Sequence, residues 1–203
     1  MKTLKFNDRE SWLQARIGKI TGSRLNDIVM KRGGGYKKGF YELIAERVAI
    51  PDESGIPTNP MDRGSFLEPK ALEIFAEKTG KKVDGSLIMW VRDDNDNIAV
   101  SPDGIIGKTE AVECKCLSSA SHIEAHLKQA IPDEYEFQVL QYFICNDKLK
   151  TLYFVFYDPR VLAMPFFYFE VSRKDKEEQI AEYLDYENKL ILEVERITNE
   201  LTY

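Results

Sequence analysis

Apolar residues recur every three or four positions in the first third of the chain, which is the spacing of one helix face. This pattern predicts a first helix with Leu25, Ile28 and Val29 on that face. Either Thr21 or Ser23 can cap this helix, because a hydroxyl can accept a free backbone N–H. The next predicted elements are a helix over about 39–48, a loop rich in Pro, Ser, Gly and Asn over 51–60 and a helix over about 65–78.

The pattern changes after Gly80, which we expect to end the third helix. Pro69 is compatible with that helix only in its first turn. Apolar runs bounded by turn residues then predict strands over about 83–91, 98–101, 111–117, 151–157 and 166–171, the last two buried. Helical spacing predicts helices over about 121–130 and 134–145, and a long terminal helix with an apolar stripe that includes Ile180, Ile191 and Val194.

This order of elements predicts one domain over residues 1–203 of mixed α/β class, with a mixed central β-sheet flanked by helices on both sides. A chain with 43% hydrophobic and 31% charged residues suits such a compact domain. No apolar run approaches the roughly 18 residues of a membrane span, so we expect no membrane partner. Three cysteines, Cys114, Cys116 and Cys145, cannot all pair with one another, and they fit a reducing cytoplasm.

Charge gives only weak guidance about partners. A net charge of −6 disfavours nucleic acid, but a nuclease that binds a divalent metal carries acidic ligands of its own. A local basic cluster formed by Lys31, Arg32, Lys37 and Lys38 surrounds the three glycines 33–35. A solvated loop is the more common meaning of such a cluster, and its sequence does not match a phosphate-binding loop.

The strongest local signal pairs Asp103, in a Ser-Pro-Asp-Gly turn, with Glu113 and Lys115 of the following strand. Alternate strand residues share a face, so Glu113 and Lys115 project together while Val112 and Cys114 point to the core. Two carboxylates can hold Mg²⁺, the metal can activate a water, and an ammonium can stabilise charge on a phosphate. Taken alone, the Glu-x-Lys pattern is more often an ordinary surface ion pair.

A third carboxylate strengthens the metal hypothesis. Glu68 precedes Ala71, Leu72 and Phe75 at helical spacing, so it lies on the core side of its helix. A buried acid needs a partner, and a shared metal is one candidate. An acid in the first turn of a helix is also favoured by the helix dipole, so both interpretations stand.

Two further pairs on predicted helices are weaker candidates. Gln138 and Gln141, with Tyr142 on the same helix, can reach a DNA backbone or the lysine, although a polar helix edge is the ordinary explanation. His122 and His126 have the spacing of two metal ligands, but no third ligand is evident and we interpret them as surface residues.

Taken together and in order, these segments resemble the phage lambda-type exonucleases, also called YqaJ-like viral recombinases, within the PD-(D/E)xK nucleases. The resemblance runs from Trp12 to about Arg160. Its segments are Trp12, Arg16 and Gly18 with Ile-Thr-Gly-Ser at 20–23; Gly64 and Glu68; Ser-Pro-Asp-Gly at 101–104; Glu-Cys-Lys-Cys at 113–116; Gln138, Gln141 and Tyr142; and Tyr-Asp-Pro-Arg at 157–160. The resemblance implies a restriction-endonuclease-like core.

The resemblance also implies roles for individual residues. Asp103, Glu113 and Glu68 would hold Mg²⁺, with Mn²⁺ as a substitute, and Lys115 would be the catalytic lysine. Further positions match residues that contact DNA: Arg16, Ser23 and Ser101 at the 5′-phosphate, Gln138 and Gln141 along the strand, and Met61 at the terminal base pair.

Members of this family are expected to form homotrimers on double-stranded DNA ends, to degrade the 5′-ended strand and to act with a single-strand annealing protein. Such a phage-type protein would work in the cytoplasm of a bacterial host. Two alternatives stay open at this point. An endonuclease of the same superfamily would share the acids but not need the phosphate residues, and a non-catalytic DNA-binding protein would need neither set intact.

Overall fold

The computed structural model describes residues 1–28, 37, 39–40, 43–44 and 59–202, without the side chains at 26 and 59–63. In this part, the helices are α1 (Arg9–Arg16), α2 (Gly22–Ile28), α3 (Asn59–Thr79), α4 (Ser119–Lys128), α5 (Glu136–Cys145) and α6 (Glu177–Leu201). The strands are β1 (Lys2–Lys5), β2 (Ile88–Val91), β3 (Ala99–Val100), β4 (Gly104–Ile106), β5 (Glu110–Lys115), β6 (Thr151–Tyr157) and β7 (Phe166–Ser172). Short 3-10 turns at Asp133–Tyr135 and Arg173–Lys176 lead into α5 and α6.

The central sheet has the strand order β4-β5-β6-β7. β5 runs parallel to β6, while β4 and β7 run antiparallel to their neighbours. The register places Val112 beside Tyr153 and Glu113 beside Phe154, so the two strands sort their side chains onto the same two faces. The predicted mixed sheet is confirmed.

Helices cover both faces of this sheet, as predicted. On one face, Ala71 and Phe75 of α3 pack against Val112, Tyr153 and Val155. On the other face, α5 and α6 pack over the side of β6 that carries Leu152, Phe154 and Phe156. The buried stripe of α6 includes the predicted Ile180, Ile191 and Val194. The mixed α/β fold class is therefore confirmed.

A second sheet, of order β1-β2-β3, was not predicted. All four residues of β1 are exposed, so this strand carries no apolar alternation that a sequence pattern could detect. Its partner β2 is buried but covers only the last four residues of the strand predicted over 83–91. A single bridge between Ile20 and Ile98 joins this sheet to the segment before α2.

The third helix is longer than predicted. It begins at Asn59 rather than near residue 65, and Pro69 therefore lies in its interior, not in its first turn. The exposed Pro69 ring faces solvent, and the packing of Ala71 and Phe75 in the core outweighs the one backbone hydrogen bond that proline removes. The helix ends where expected, at Gly80, which has a φ of +68°.

Three other predictions need correction. β7 is not a buried strand: it is the edge of the sheet, and its residues are at most partly buried. β4 was taken for a turn, since it has only three residues. α1 was missed because it buries no side chain, although Asp8 caps it by accepting the Ser11 N–H at 2.8 Å.

Some predictions fall outside the described residues. These are most of the helix over 39–48, in which residues 39–40 and 43–44 are helical, most of the loop over 51–60 and the basic cluster apart from Lys37. The three cysteines are free, with Cys114 and Cys145 buried. Among the helices that the structure describes, none is both long enough and apolar enough to cross a membrane.

Candidate active site

Glu113 and Lys115 project from the same face of β5 at the centre of the molecule. The Lys115 ammonium donates to Glu113 Oε1 at 2.7 Å and lies 4.7 Å from the centre of the Tyr135 ring. Glu113 is 4% exposed, so this is a buried ion pair rather than a surface one. Burial lowers the pKa of Lys115, but the charge and hydrogen bond of Glu113 and the charge of Asp103 together raise it by more, so that the pKa lies above its ordinary value.

Asp103 reaches this pair across the open end of the β4–β5 ladder. The ladder pairs Gly104 with Val112 and stops there, which leaves the next backbone groups of β5 without a strand partner on that side. Asp103 Oδ2 accepts the Cys114 N–H at 2.7 Å and so replaces the missing strand. The turn that looked like a separate feature in the sequence is therefore joined directly to β5.

Glu68 approaches from α3, one turn before the residues that pack on the sheet. Burial, followed by the negative charge of Glu113, raises its pKa to about 7, against smaller opposing effects of the charges of Arg9 and Lys115. Burial and the charges of Glu113 and Glu68 also raise the pKa of Asp103 well above its usual range. Mutual repulsion of this kind shows that the three carboxylates share one electrostatic site.

Helix α5 supplies two more groups to Glu113. Gln138 Nε2 donates to Glu113 Oε1, and the Tyr142 hydroxyl donates to Glu113 Oε2. The predicted Gln138 thus contacts an acid of the site within the protein. Tyr142, which was expected with Gln138 and Gln141 to reach a DNA backbone or the lysine, is wholly buried and contacts Glu113 instead.

Gln141 does not reach the acids of the site. Its side chain is wholly buried, and its Nε2 donates to the backbone carbonyls of Ile20 and Ala99, at 3.3 Å each. Gln138 and Gln141 share the face of α5 that lies against Gly22, but only Gln138 extends to Glu113. The prediction that Gln141 contacts DNA is therefore wrong, and its amide instead ties α5 to the second sheet.

The structure brings Arg16, Ser23 and Ser101 together, although 85 positions separate the first from the last. Arg16 Nη1 donates to Ser101 Oγ at 3.0 Å, and Nη2 donates to Ser23 Oγ at 3.2 Å and to Thr21 Oγ1 at 3.4 Å. Trp12 Nε1 also donates to Ser101 Oγ, at 3.0 Å. Ser101 accepts both of these bonds, so its hydroxyl proton remains a donor for another group.

Arg16 forms a second cluster with its hydrogen-bond partners and with Trp12, which shares Ser101, and we call it the Arg16 cluster; its members are Trp12, Arg16, Thr21, Ser23 and Ser101. It borders a cavity of about 360 Å³. Leu13, Arg16, Ile17, Thr21, Ser23, Arg24 and Asp27 line the cavity. Burial lowers the pKa of Arg16, while the negative charge of Glu113 opposes that shift. A desolvated guanidinium with hydroxyls beside it is suited to an anion, and its field reaches the acids of β5.

Comparison with known proteins agrees with this geometry. Residues 11–148, which include Arg16, Glu68, Asp103, Glu113 and Lys115, match the YqaJ-like viral recombinase domain. The chain belongs to the YqaJ-like viral recombinase family. No curated protein matches it significantly.

Solved structures place this family member among exonucleases. An alkaline exonuclease from Laribacter hongkongensis, LHK-Exo, is 28% identical, with a TM-score of 0.82 over 95% of this chain and 96% of the other. The same exonuclease in complex with dAMP gives 28% identity and a TM-score of 0.77, over 95% and 98%. A phage-related exonuclease from Haemophilus somnus 129PT, at 13% identity, shares the fold, with a TM-score of 0.61 over 90% and 96%. The chain is thus a nuclease of the phage exonuclease family.

The acids of this nuclease have the donor chemistry of a hard divalent cation but are not arranged as a closed cage. Among the described residues, no three metal-ligating side chains lie close enough together to hold an ion. Both oxygens of Glu113 accept hydrogen bonds from protein groups, and one oxygen of Asp103 does the same. The three carboxylates outnumber the single ammonium of Lys115, and this excess negative charge fits a cation.

Two remaining predictions have different outcomes. The backbone of Met61 belongs to α3, but its side chain lies outside the description. The histidines are not a surface pair: His122 is wholly buried with Nε2 3.0 Å from the Met164 carbonyl oxygen, and both rings pack edge-on against Phe167. Their place in the core explains their helical spacing without a metal.

Proposed function

We propose that this nuclease is a Mg²⁺-dependent exodeoxyribonuclease that removes nucleotides from the 5′-ended strand of duplex DNA. One observation carries the proposal: Ser101 belongs to both clusters. Its hydroxyl accepts from Arg16, while its backbone carbonyl accepts from Tyr142 at 3.4 Å, and Asp103 follows two residues later. An anion pocket and an acid cluster joined through three consecutive residues suit a substrate with two neighbouring phosphates.

In this proposal, Asp103, Glu113 and Glu68 hold the metal, which would lower the pKa of an attacking water and neutralise charge on the scissile phosphate. Lys115 holds a permanent positive charge beside Glu113, where it can orient the water and stabilise the charge that develops on the phosphate. Gln138 and Tyr142 position Glu113 through their hydrogen bonds. The displaced 3′-oxygen takes up a proton as the bond breaks.

The Arg16 cluster would receive the 5′-terminal phosphate. A terminal monoester carries more negative charge than an internal diester, so a charge-assisted pocket favours an end over the interior of a strand. A related exonuclease, LHK-Exo, has been solved in complex with dAMP, a nucleotide of the kind that release from a 5′ end would produce. An endonuclease has no use for such a pocket, which is why we favour the exonuclease over the alternatives.

The resemblance to lambda-type exonucleases also supports proposals about assembly. We infer that the chain forms a homotrimer around duplex DNA and acts with a single-strand annealing protein in the bacterial cytoplasm. These proposals follow from the family to which the chain belongs.

Degradation of linear and closed-circular plasmid tests the activity. In Mg²⁺ we expect loss of the linear form alone, and none in EDTA. Loss of both forms indicates an endonuclease, and loss of neither indicates a binding protein. Duplexes labelled on one strand at either end would then show whether removal starts at the 5′ end.

Duplexes with either a 5′-phosphate or a 5′-hydroxyl test the Arg16 cluster. The wild type should degrade the phosphorylated ends faster, and Arg16→Ala should remove most of the preference. Arg196→Ala is the matched control, because Arg196 is an exposed arginine paired with Glu193 and Glu200 on α6. Equal wild-type rates on both ends would exclude the phosphate pocket.

A further inference from the structure

A second arginine on α1 lies beside the site without a role in the proposed chemistry. Arg9, Trp12 and Arg16 are spaced three and four residues apart, so they share one face of the helix. The guanidinium carbon of Arg16 lies 4.4 Å from the centre of the Trp12 ring, and that of Arg9 lies 5.6 Å from it. Both cations are thus within the range of attraction to the same indole.

Trp12 is a fixed platform for these cations. Its Nε1–H donates to Ser101 Oγ at 3.0 Å, the same oxygen that accepts from Arg16. The ring cannot turn away without losing this bond. Arg9 is therefore held at the site by an aromatic ring that is itself anchored to the Arg16 cluster.

The two arginines differ in what their nitrogens do. Arg16 donates to three hydroxyls, whereas Arg9 makes no hydrogen bond and no ion pair with any residue in the part of the chain that the structure describes. The Arg9 side chain is exposed. Its N–H donors are consequently available to an external group, and a guanidinium is best matched by a phosphate or a carboxylate.

The charge of Arg9 also acts on the acid cluster. Its positive charge is felt by Glu68 of α3, where it opposes the effect of burial on that carboxyl. Arg9 thus lies near both Trp12 of the Arg16 cluster and Glu68 of the acid cluster. A strand with its terminal phosphate against Arg16 and its scissile phosphate against the acids would pass this guanidinium.

We propose that Arg9 binds a backbone phosphodiester of the strand being degraded, with Trp12 holding the guanidinium in position. This inference rests on the proposed function, because it assumes a DNA strand between the two clusters. Contact with a non-reacting phosphate persists from the bound state to the transition state, so it affects binding rather than the chemical step. Arg9 is then a substrate-binding residue distinct from the terminal-phosphate pocket.

Kinetics of Arg9→Gln on a 5′-phosphorylated linear duplex test this role. We expect KM to rise about tenfold with kcat within about twofold of wild type, since a charge-assisted hydrogen bond is lost in both states. The salt dependence of kcat/KM should weaken by about 0.9 in its logarithmic slope, the value for one phosphate contact. The preference for 5′-phosphate over 5′-hydroxyl ends should survive, because Arg16 is intact.

Arg196→Gln is the matched control and should leave KM, kcat and the salt slope unchanged. A fall in kcat without a change in KM would overturn the proposal, because it would show that Arg9 acts through Glu68 instead. Unchanged kinetics would overturn it as well. A melting temperature equal to that of the wild type checks that Arg9→Gln leaves the fold intact.

Failure of the proposed function can be recognised separately. If the wild type degrades no linear DNA, the exonuclease proposal fails, while the anisotropy of a labelled duplex in EDTA still measures binding without turnover. Arg9→Gln should then bind the duplex about tenfold more weakly than Arg196→Gln does. Equal binding by the two variants would remove the role of Arg9 irrespective of any activity.

Discussion

At the scale of single residues, Glu113 is the most constrained side chain of the site. Lys115, Gln138 and Tyr142 all donate to its two oxygens, from β5 itself and from α5. A buried carboxylate with these donors is held in one orientation. The three donors therefore fix the position of the Glu113 oxygens that a metal would contact.

Lys115→Met should reduce the rate of DNA hydrolysis about a hundredfold or more, because it removes one fixed charge from the reacting centre. The methionine keeps the hydrophobic stem, so circular dichroism should show an unchanged fold. Lys115→Arg should not restore the rate, since its planar group cannot replace a compact ammonium beside Tyr135. Wild-type rates in Lys115→Met would reduce Lys115 to a structural ion-pair residue.

Tyr142→Phe removes the contacts of the hydroxyl with Glu113 and with the Ser101 carbonyl, while the ring stays packed edge-on against Trp90. We expect kcat to fall about tenfold with KM unchanged, because Tyr142 positions an acid and does not touch the substrate. Tyr183→Phe is a suitable control, as Tyr183 lies on α6 against Phe137. A rise in KM instead would place the Tyr142 hydroxyl in contact with DNA.

The acids and the lysine of the site could be predicted from the sequence because strand alternation puts Glu113 and Lys115 on one face and helix periodicity turns Glu68 inward. The Arg16 cluster could be grouped only through the family resemblance, since its members are far apart in the chain. The role predicted for Gln141 failed because its spacing from Gln138 does not reveal that the backbone of Ile20 and Ala99 covers it. A role for Arg9 could not be predicted from the sequence, because it is a single charged residue on an exposed helix.

At the scale of elements, the approach of α3 to the central sheet depends on Gly104 at the start of β4. A Cβ at this position would lie 2.6 Å from Val83 Cγ1 and 3.1 Å from Leu72 Cδ2. Such contacts require the strand or the helix to shift. The absence of a side chain at Gly104 thus permits the close packing that brings Asp103 to β5.

Gly104→Ala should lower the free energy of unfolding by about 1–3 kcal/mol, the usual cost of overpacking. Gly64→Ala is the opposite case, since a Cβ there would meet nothing within 4 Å inside α3. This second change should stabilise the protein by about 0.5–1 kcal/mol. Urea titration of both variants gives the two values, and equal stabilities would show that the sheet adapts to the added methyl group.

Helix α6 carries a wholly buried carboxyl group, that of Glu187, although carboxyl groups are mostly exposed in proteins. Among the described residues, neither oxygen of Glu187 has a hydrogen-bond partner. Burial raises the pKa of Glu187 to about 8, against smaller opposing effects of Gln141 and Arg92. Cys145, also buried here, has its pKa raised to about 12, first by burial and then by the Glu187 charge.

Glu187→Gln should make the stability of the protein less dependent on pH. Between the unfolded pKa of 4.5 and the folded value of about 8, the folded state holds a proton that the unfolded state has lost. The stabilisation is therefore complete below the lower value and disappears as the pH rises through the higher one. We expect the melting temperature of Glu187→Gln to exceed that of the wild type by a margin that grows from pH 5 to pH 8. A constant margin would indicate that Glu187 is already ionised in the folded protein.

At the scale of the whole molecule, the helices that sandwich the sheet were predictable and the added sheet was not. The long stripe of α6 and the continuous apolar run of β6 each carry a complete signal within one segment. The β1–β2–β3 sheet depends on pairing between Lys2–Lys5 and Ile88–Val91, which are far apart in the chain. Distant pairing of a short polar strand leaves no local periodicity to detect.

The proposed homotrimer predicts a mass in solution of three times the 23.4 kDa of the chain, measured by light scattering across a range of concentrations. In a single chain, the side chains of Phe66, Leu127, Leu162 and Leu192 are each more than 60% exposed, so they would be available for contacts with another copy. A mass equal to that of one chain at all concentrations would exclude a stable trimer. The exonuclease proposal would then apply to a monomer.

The carboxylate that closes the open end of the β4–β5 ladder has a consequence for how inactive variants should be chosen. One oxygen of Asp103 accepts the backbone N–H of Cys114. The negative charge of the carboxylate remains available for a second interaction. Asparagine retains an oxygen for the backbone and discards only the charge, whereas alanine discards both. Asp103→Asn is therefore expected to give a folded protein that retains DNA without cutting it, and Asp103→Ala a less stable one. The two substitutions, compared side by side, separate what the residue does for the architecture from what it does for the reaction.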